Sequence, residues 1–159
     1  MKILVLSDTH GRSRNARKVI NREKPFDALF HLGDIEGGEE EIAALAGVPT
    51  YMVAGNCDTW SSLPQEAEVV LGGVRFMLTH GHRYWVSASL KELKTKARKN
   101  RCDVVLFGHT HRPVEDLSDP SLMVLNPGSL SFPRQADGKP TYMVLTVENG
   151  RCLPELRRC

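Results

Sequence analysis

Short apolar runs that break off into polar, glycine-containing stretches recur along the chain. Residues 3–7 (Ile-Leu-Val-Leu-Ser), 27–32 (Asp-Ala-Leu-Phe-His-Leu) and 50–54 (Thr-Tyr-Met-Val-Ala) are of strand length and end in turn residues, which predicts three strands. Residues 68–72 and 74–79 predict a hairpin around Gly72-Gly73. Residues 103–107 (Asp-Val-Val-Leu-Phe) predict a further buried strand, and residues 122–125, 141–148 and 151–157 complete the set. Asn149-Gly150 is a two-residue hairpin turn between the last two. Pro154 removes a ladder donor and predicts a sheet edge for the final strand.

Helical spacing appears between these runs. Residues 13–23 place Ala16, Val19 and Ile20 on one face, with Ser13 as the expected cap. Residues 39–46 gather Ile42, Leu45 and Ala46, with Glu39, Glu40 and Glu41 in the first turn where the helix dipole favours acids. Residues 88–99 gather Leu90, Leu93 and Ala97. Strands alternating with helices imply a layered α/β fold with parallel pairing in its core. The antiparallel C-terminal strands imply a second sheet or an extension of the first.

Composition narrows the class. Of the 159 residues, 41% are hydrophobic and 25% charged, which excludes disordered, collagen-like and coiled-coil chains. A net charge of +2 gives no case for wholesale binding to a nucleic-acid backbone. The basic run Lys91 to Arg101 reads first as a solvated helix face and second as a nucleic-acid groove. The four cysteines (Cys57, Cys102, Cys152, Cys159) form no C-x-x-C pair, so zinc-ribbon and thioredoxin readings fail, and free thiols in a reducing cytoplasm are expected. No apolar run reaches the ~18 residues of a membrane span. No phosphate-loop or dinucleotide glycine motif is present. A single domain over residues 1–159 is expected.

The chemistry sits where the strands stop. They run into Ser7-Asp8-Thr9-His10, Gly33-Asp34, Gly55-Asn56-Cys57-Asp58, Thr79-His80-Gly81-His82 and Gly108-His109-Thr110-His111. In open α/β sheets, ligands bind beyond the carboxyl ends of strands, so one edge would bring these groups into one cleft. Taken singly, Asp8-x-His10, Gly33-Asp34 or Asn56-x-Asp58 is the makeup of an ordinary turn. His109-x-His111 is more specific, because alternate residues of an extended chain share a face. The joint pattern is stronger: five of the six histidines fall in these segments. The sixth, His31, lies inside an apolar run and reads as a satisfied core histidine or a support to the site. Asp8, His10, Asp34, Asn56, His80, His109 and His111 offer two carboxylates, one amide oxygen and four imidazoles, a mixed set that suits borderline divalent metals. Seven donors exceed one tetrahedral ion and suit two if a carboxylate bridges. Two such ions outweigh the charge of both aspartates, which favours a bridging hydroxide, an anionic substrate and phosphate-ester hydrolysis.

The ordered set Asp-x-His, Gly-Asp, Gly-Asn-x-Asp, His-Gly-His and Gly-His-Thr-His resembles the calcineurin-like metallophosphoesterases. The compact length and Asn126-Pro127-Gly128-Ser129 resemble their small bacterial and archaeal phosphodiesterase branch. The resemblance implies a four-layer α/β/β/α sandwich of two mixed sheets flanked by helices. It implies Asp8, His10 and His111 on one ion, Asn56, His80 and His109 on a second, and Asp34 between them, with Asn56, His80 and His109 also serving catalysis. It implies two divalent ions, manganese first and nickel, cobalt, iron or zinc as alternatives. A small phosphodiester is the implied substrate and a homodimer the association common in that branch. The pattern departs at Cys57, where many relatives carry a histidine thought to protonate the leaving group. A thiol is a poorer donor for that task, which favours diesters or activated esters over unactivated monoesters; the plainer reading of Cys57 is a small buried residue. Asp58 is expected either to orient a ligand histidine or to cap a turn. His82 is expected near the metals, touching substrate or ordering its loop. Arg12, Arg83 and Arg134 adjoin the motifs and could each meet a phosphate oxygen. Two rivals share the site or the fold: a phosphomonoesterase or nucleotidase, and a non-enzymatic scaffold like the similar retromer subunit. An apolar patch near Trp60 or Trp85 could serve an interface, or both could be core.

Overall fold

The computed structural model describes residues 1–159. The elements run β1 (Lys2–Leu6), α1 (Ser13–Glu23), β2 (Ala28–His31), α2 (Glu39–Ala46), β3 (Thr50–Met52), β4 (Glu66–Leu71), β5 (Val74–Thr79), α3 (Lys91–Lys99), β6 (Val104–Leu106), β7 (Pro113–Asp119), β8 (Leu122–Pro127), β9 (Thr141–Glu148) and β10 (Arg151–Arg158). A short 3-10 turn covers His82–Tyr84. No helix is long and apolar enough to cross a membrane.

The strands form two mixed five-stranded sheets, ordered β10-β9-β1-β2-β3 and β4-β5-β6-β8-β7. β1, β2 and β3 are parallel, as are β5, β6 and β8, while β4, β7, β9 and β10 pair antiparallel with their neighbours. The period of two along each strand decides the layers. Ile3, Val5, Phe30, Phe76, Leu78, Val104 and Leu106 point between the sheets. Leu4, Leu6 and Leu29 point the other way and meet Ala16, Val19 and Ile20 of α1 and Ile42 and Ala46 of α2. Met77, Val105 and Phe107 meet Leu93 and Ala97 of α3. The result is α/β/β/α.

Both predicted hairpin turns are left-handed at both central residues, Gly72-Gly73 (φ 58°, 81°) and Asn149-Gly150 (φ 51°, 72°), the geometry that two-residue turns require. β10 is an edge strand, as Pro154 demands. Four expectations need correction. β7 was not foreseen: Glu115, Asp116, Ser118 and Asp119 give it no apolar alternation, because it is an edge strand with an irregularity in its pairing to β8. Ser13 does not cap α1; Arg12 occupies the cap position without a side-chain bond, and the Ser13 hydroxyl accepts instead from Arg17 Nε at 3.4 Å. α3 begins at Lys91 rather than residue 88, with Ser89 Oγ accepting from the Lys91 N–H at 3.2 Å. Trp60 and Trp85 are both exposed, at 98% and 76%, so neither is core. On α3, Lys94 and Arg98 pair with Asp116 and Asp119 of β7 at 2.6 and 2.7 Å, which ties the basic face to the second sheet.

One buried carboxylate joins the far corner of the first sheet. Glu23, 4% exposed at the end of α1, accepts from Tyr142 Oη (2.6 Å) on β9 and Arg157 Nη1 (2.6 Å) on β10, and pairs with Lys2 Nζ (3.0 Å) on β1. Burial opposes its ionisation, but Tyr142, Lys2 and Arg157 outweigh that and hold the carboxyl below its ordinary pKa. Such a group stabilises the fold fully above its unfolded pKa of about 4.3 and loses that contribution as pH falls through the lower folded value. Glu23→Gln is expected to cost about 2–3 kcal/mol at pH 7, less than for a fully buried pair because Lys2 and Arg157 reach solvent. In urea melts the gap between the two proteins should persist to the unfolded pKa and close below it. Equal stability at pH 7 would refute this account.

Candidate active site

The carboxyl ends of β1, β2, β3, β5 and β6 open on one edge of the sandwich, and each candidate side chain follows directly. The chain must turn sharply there while facing its polar groups inward. Five of the seven candidate donors have left-handed backbones: Asp8 (φ 54°), His10 (46°), Asp34 (51°), His109 (66°) and His111 (57°). Outside glycine this conformation is uncommon, and its concentration at one edge marks a place where geometry is held against local preference. Two glycines make the packing feasible. A Cβ on Gly55 would lie 2.1 Å from Asp34 Oδ1, and one on Gly108 2.1 Å from Ser7 Oγ and 2.8 Å from Asp8 Oδ2.

The donors gather in two adjoining sets. In the first, His10 Nε2 lies 3.2 Å from His111 Nε2, His111 Nε2 lies 3.1 Å from Asp8 Oδ1, and Asp34 Oδ2 lies 3.7 Å from His10 Nε2. One atom each of Asp8, His10, Asp34 and His111 falls within 4.8 Å of all the others. In the second, Asn56 Oδ1 lies 3.1 Å from His80 Nε2 and 2.9 Å from His109 Nδ1. Asp34 Oδ2 is 3.3 Å from His80 Nε2, so this one oxygen borders both sets.

Hydrogen bonds on the outer ring nitrogens decide what points inward. His80 Nδ1 donates to the Leu32 carbonyl at 2.7 Å and His111 Nδ1 to the Phe132 carbonyl at 2.8 Å. A carbonyl can only accept, so these nitrogens carry the protons and each neutral ring turns a bare Nε2 inward. His10 is held alike, with Nδ1 2.7 Å from Glu36 Oε1. Asp8 Oδ1 is buried with no hydrogen-bond donor. Lone pairs therefore converge on lone pairs, which calls for positive charge among them. Burial disfavours charge on His80 and His111, yet Asp34 and Asp8 outweigh it at His80, and Asp8 does so at His111, holding both pKa values above the ordinary one. Burial also opposes the Asp34 carboxylate, but His80 and the Cys57 N–H (2.8 Å) hold it well below the usual carboxylate range. Burial, then the neighbouring His80, lowers His109. Mixed imidazole and carboxylate donors of this kind fit divalent transition metals.

The remaining candidates resolve differently. Cys57 is exposed, against the reading of a small buried residue. Partial burial and the nearby Asp34 and Glu36 carboxylates push its thiol up to about 12. Asp58 touches no histidine; it accepts from the backbone N–H groups of Ile35 (2.9 Å), Glu36 (2.7 Å) and Gly55 (2.8 Å) and so locks two motif loops together. His82 stands beside the second set, its ring centre 5.5 Å from His80 and 6.1 Å from His109, but its Nδ1 has no partner. Burial, then His80 and His109, lower its pKa. His31 is only half satisfied: Nε2 meets Thr9 Oγ1 at 3.1 Å, while Nδ1 has none. Burial lowers its pKa to about 4, keeping it neutral. Sequence reasoning missed Glu36. Nothing in Gly33-Asp34-Ile35-Glu36 marks it, and only the left-handed turn at its own backbone (φ 57°) aims it at His10. It also missed Phe132, whose ring packs 5.2 Å from His10 with the Arg12 guanidinium 4.4 Å above it.

A family model described as the calcineurin-like phosphoesterase superfamily domain matches residues 1–150. The chain belongs to that superfamily. A probable metallophosphoesterase of Mycoplasma pneumoniae is 37% identical over 153 residues, covering 94% of this chain and 92% of that one. The Escherichia coli K12 phosphodiesterase YfcE is 30% identical over 158 residues, covering 84% and 82%. Among solved structures, a conserved Streptococcus pneumoniae TIGR4 protein, assigned to the phosphoesterases by prediction, superposes with a TM-score of 0.81 at 27% identity, over 98% of this chain and 97% of that one. This superfamily member is thus a phosphoesterase by descent, with a candidate metal cluster of its own.

Proposed function

We propose that the chain, as one domain over residues 1–159, is a two-metal phosphodiesterase. The observation that carries this reading is the convergence of bare acceptors around Asp34 Oδ2, which borders both donor sets. Asp8, His10 and His111 would hold one divalent ion, Asn56, His80 and His109 the other, and Asp34 both. Bound there, the ions would supply Lewis acidity toward phosphoryl oxygens and lower the pKa of a water. The chain does the rest. Asp8 and Asp34 supply two negative charges, fewer than two divalent ions bring, so the mouth stays attractive to a phosphate anion. Leu32, Phe132 and Glu36 lock the tautomers of His80, His111 and His10. Asn56, His80 and His109 would meet the phosphoryl group as it enters. Manganese is the first choice of ion. The phosphodiesterase name of a relative and the lack of a histidine at Cys57 favour a diester.

The test is hydrolysis of bis(p-nitrophenyl) phosphate after loading with manganese, nickel, cobalt or zinc. Turnover of this diester above that of p-nitrophenyl phosphate supports the reading, and no turnover with all four metals overturns it. Two smaller predictions follow from neighbours of the donors. Glu36→Ala is expected to weaken metal binding about 10–100-fold by calorimetry, as loss of a partner to a ligating histidine does. Glu36→Gln keeps an acceptor for His10 Nδ1 and should restore most of it. Cys57→His places an imidazole, with a pKa near 6.5, where a thiol stood, and should speed esters with poor leaving groups by about tenfold or more. Bis(p-nitrophenyl) phosphate, whose leaving group needs no proton, should gain far less.

A further inference from the structure

Beside the His109–His111 turn lies a cleft of about 330 Å³ lined by Val86, Ser87, Thr110, Arg112, Val114 and Arg134. It is built into the site. Thr110 separates the two histidines, Arg112 follows them, and the Arg134 N–H donates to the His111 carbonyl at 3.0 Å. Six of the thirteen arginines pair with a carboxylate: Arg17, Arg22, Arg75, Arg98, Arg157 and Arg158. Arg112 and Arg134 line one cleft with no acid in its wall, and neither guanidinium makes an ion pair or a hydrogen bond. Both are exposed, so each guanidinium is free to meet an anion in the cleft. Thr110 Oγ1 is already engaged, accepting from Asn126 Nδ2 (3.1 Å) and donating to the Arg112 carbonyl (3.3 Å). Ser87 leaves a hydroxyl free, and Val86 and Val114 give an apolar wall.

A second cleft bordering the donors has the opposite character. Glu36 and Glu39 line it with Cys57 and Trp60. A substrate with a strongly anionic arm would be repelled from that side and drawn to the arginines. Guanidinium forks match phosphate oxygens two at a time, which a single point charge does not.

We propose that the cleft between Arg112 and Arg134 is a subsite for a second phosphate, and that the natural substrate is a phosphodiester carrying a phosphate monoester on one arm. The inference rests on the phosphodiesterase reading for which bond is cut, but not for the binding of the second phosphate.

The experiment compares thymidine 5′-(p-nitrophenyl phosphate) with its 3′-phosphorylated form on the manganese-loaded protein. The kcat/KM ratio of phosphorylated to plain substrate is expected to be about tenfold or more, and below about threefold in Arg112→Gln/Arg134→Gln. Arg101→Gln/Arg151→Gln removes the same charge at the opposite edge of the sheets and should leave the ratio as it was. A wild-type ratio near one, or an equal fall in the distant double variant, overturns the subsite. Calorimetric titration of metal-stripped protein with thymidine 3′,5′-bisphosphate separates this proposal from the hydrolytic one. Binding weakened about tenfold or more in Arg112→Gln/Arg134→Gln supports the subsite even if no ester is hydrolysed. Equal binding by the two proteins overturns it even if both esters are.

Discussion

Asp34→Asn is expected to reduce diester turnover by about a thousandfold or more, the scale on which losing charge stabilisation in a transition state is felt. The side chain keeps its size and can still accept from the Cys57 N–H, so the loop it closes should survive. What it loses is the charge at an oxygen 3.3 Å from His80 Nε2 and 3.7 Å from His10 Nε2. Asp8, His10 and His111 retain one carboxylate and two imidazoles. Asn56, His80 and His109 are left with none of their own negative charge. The second ion should therefore be lost first, and elemental analysis should find no more than one ion per chain in place of two. Far-UV circular dichroism and a thermal melt would show that the fold is intact. Two retained ions with turnover within threefold of the unaltered protein would remove Asp34 from the centre of the mechanism.

The strands that carry the site were legible because burial made them so. β1, β2, β5 and β6 are covered on both faces or nearly so, and their sequences are short apolar runs that stop where solvent and chemistry begin. The polar residues at those stops could be read as one set because parallel pairing puts the ends of β1, β2 and β3, and of β5 and β6, on the same edge. β7 failed the same test because an edge strand needs no apolar face, and its acids serve Lys94 and Arg98 on α3 instead. The supports of the site were illegible for a different reason. Glu36 reaches His10 across 26 positions and Phe132 reaches it across 122, contacts made by turns whose φ values no local pattern encodes. Asp58 stood in a recognisable motif, yet its use is to hold three backbone N–H groups from two loops, which spacing alone does not distinguish from a hand on a histidine. The tautomers of His80 and His111 depend on carbonyls of residues with apolar side chains, Leu32 and Phe132, which no search for polar motifs would select.

Gly108→Ala should show how much the site depends on the seam between the two sheets. Gly108 lies in the turn just after β6 of the second sheet, and its Cα hydrogen faces Ser7 and Asp8, which follow β1 of the first. A methyl group there would sit 2.1 Å from Ser7 Oγ, 2.8 Å from Asp8 Oδ2 and 3.2 Å from the Leu32 carbonyl. The hydroxyl could rotate away, but Ser7 Oγ donates to Asp8 Oδ2 at 2.5 Å, so relief for one displaces the other. The Gly108 N–H and carbonyl are meanwhile fixed by the His80 carbonyl (3.1 Å) and Asn126 Nδ2 (2.8 Å). The sheets must part at this edge, at a cost of about 1–3 kcal/mol for overpacking. For a chain of this length that is a fall in melting temperature of roughly 2–12 °C. The larger effect is on the chemistry. Asp8 belongs to one sheet and His109 and His111 to the turn after Gly108 in the other, so a small separation pulls the first donor set apart. Metal affinity and turnover should fall together, by about a hundredfold or more, the scale expected when catalytic groups are misplaced by about an ångström. Gly47→Ala is the control: its backbone, unlike that of Gly108, is left-handed, so the substitution should cost stability, but a methyl there meets nothing within 4 Å and should leave metal binding alone. If Gly108→Ala melted lower yet bound two ions as tightly as the unaltered protein, the two sheets would not be joined through their metal donors at this edge.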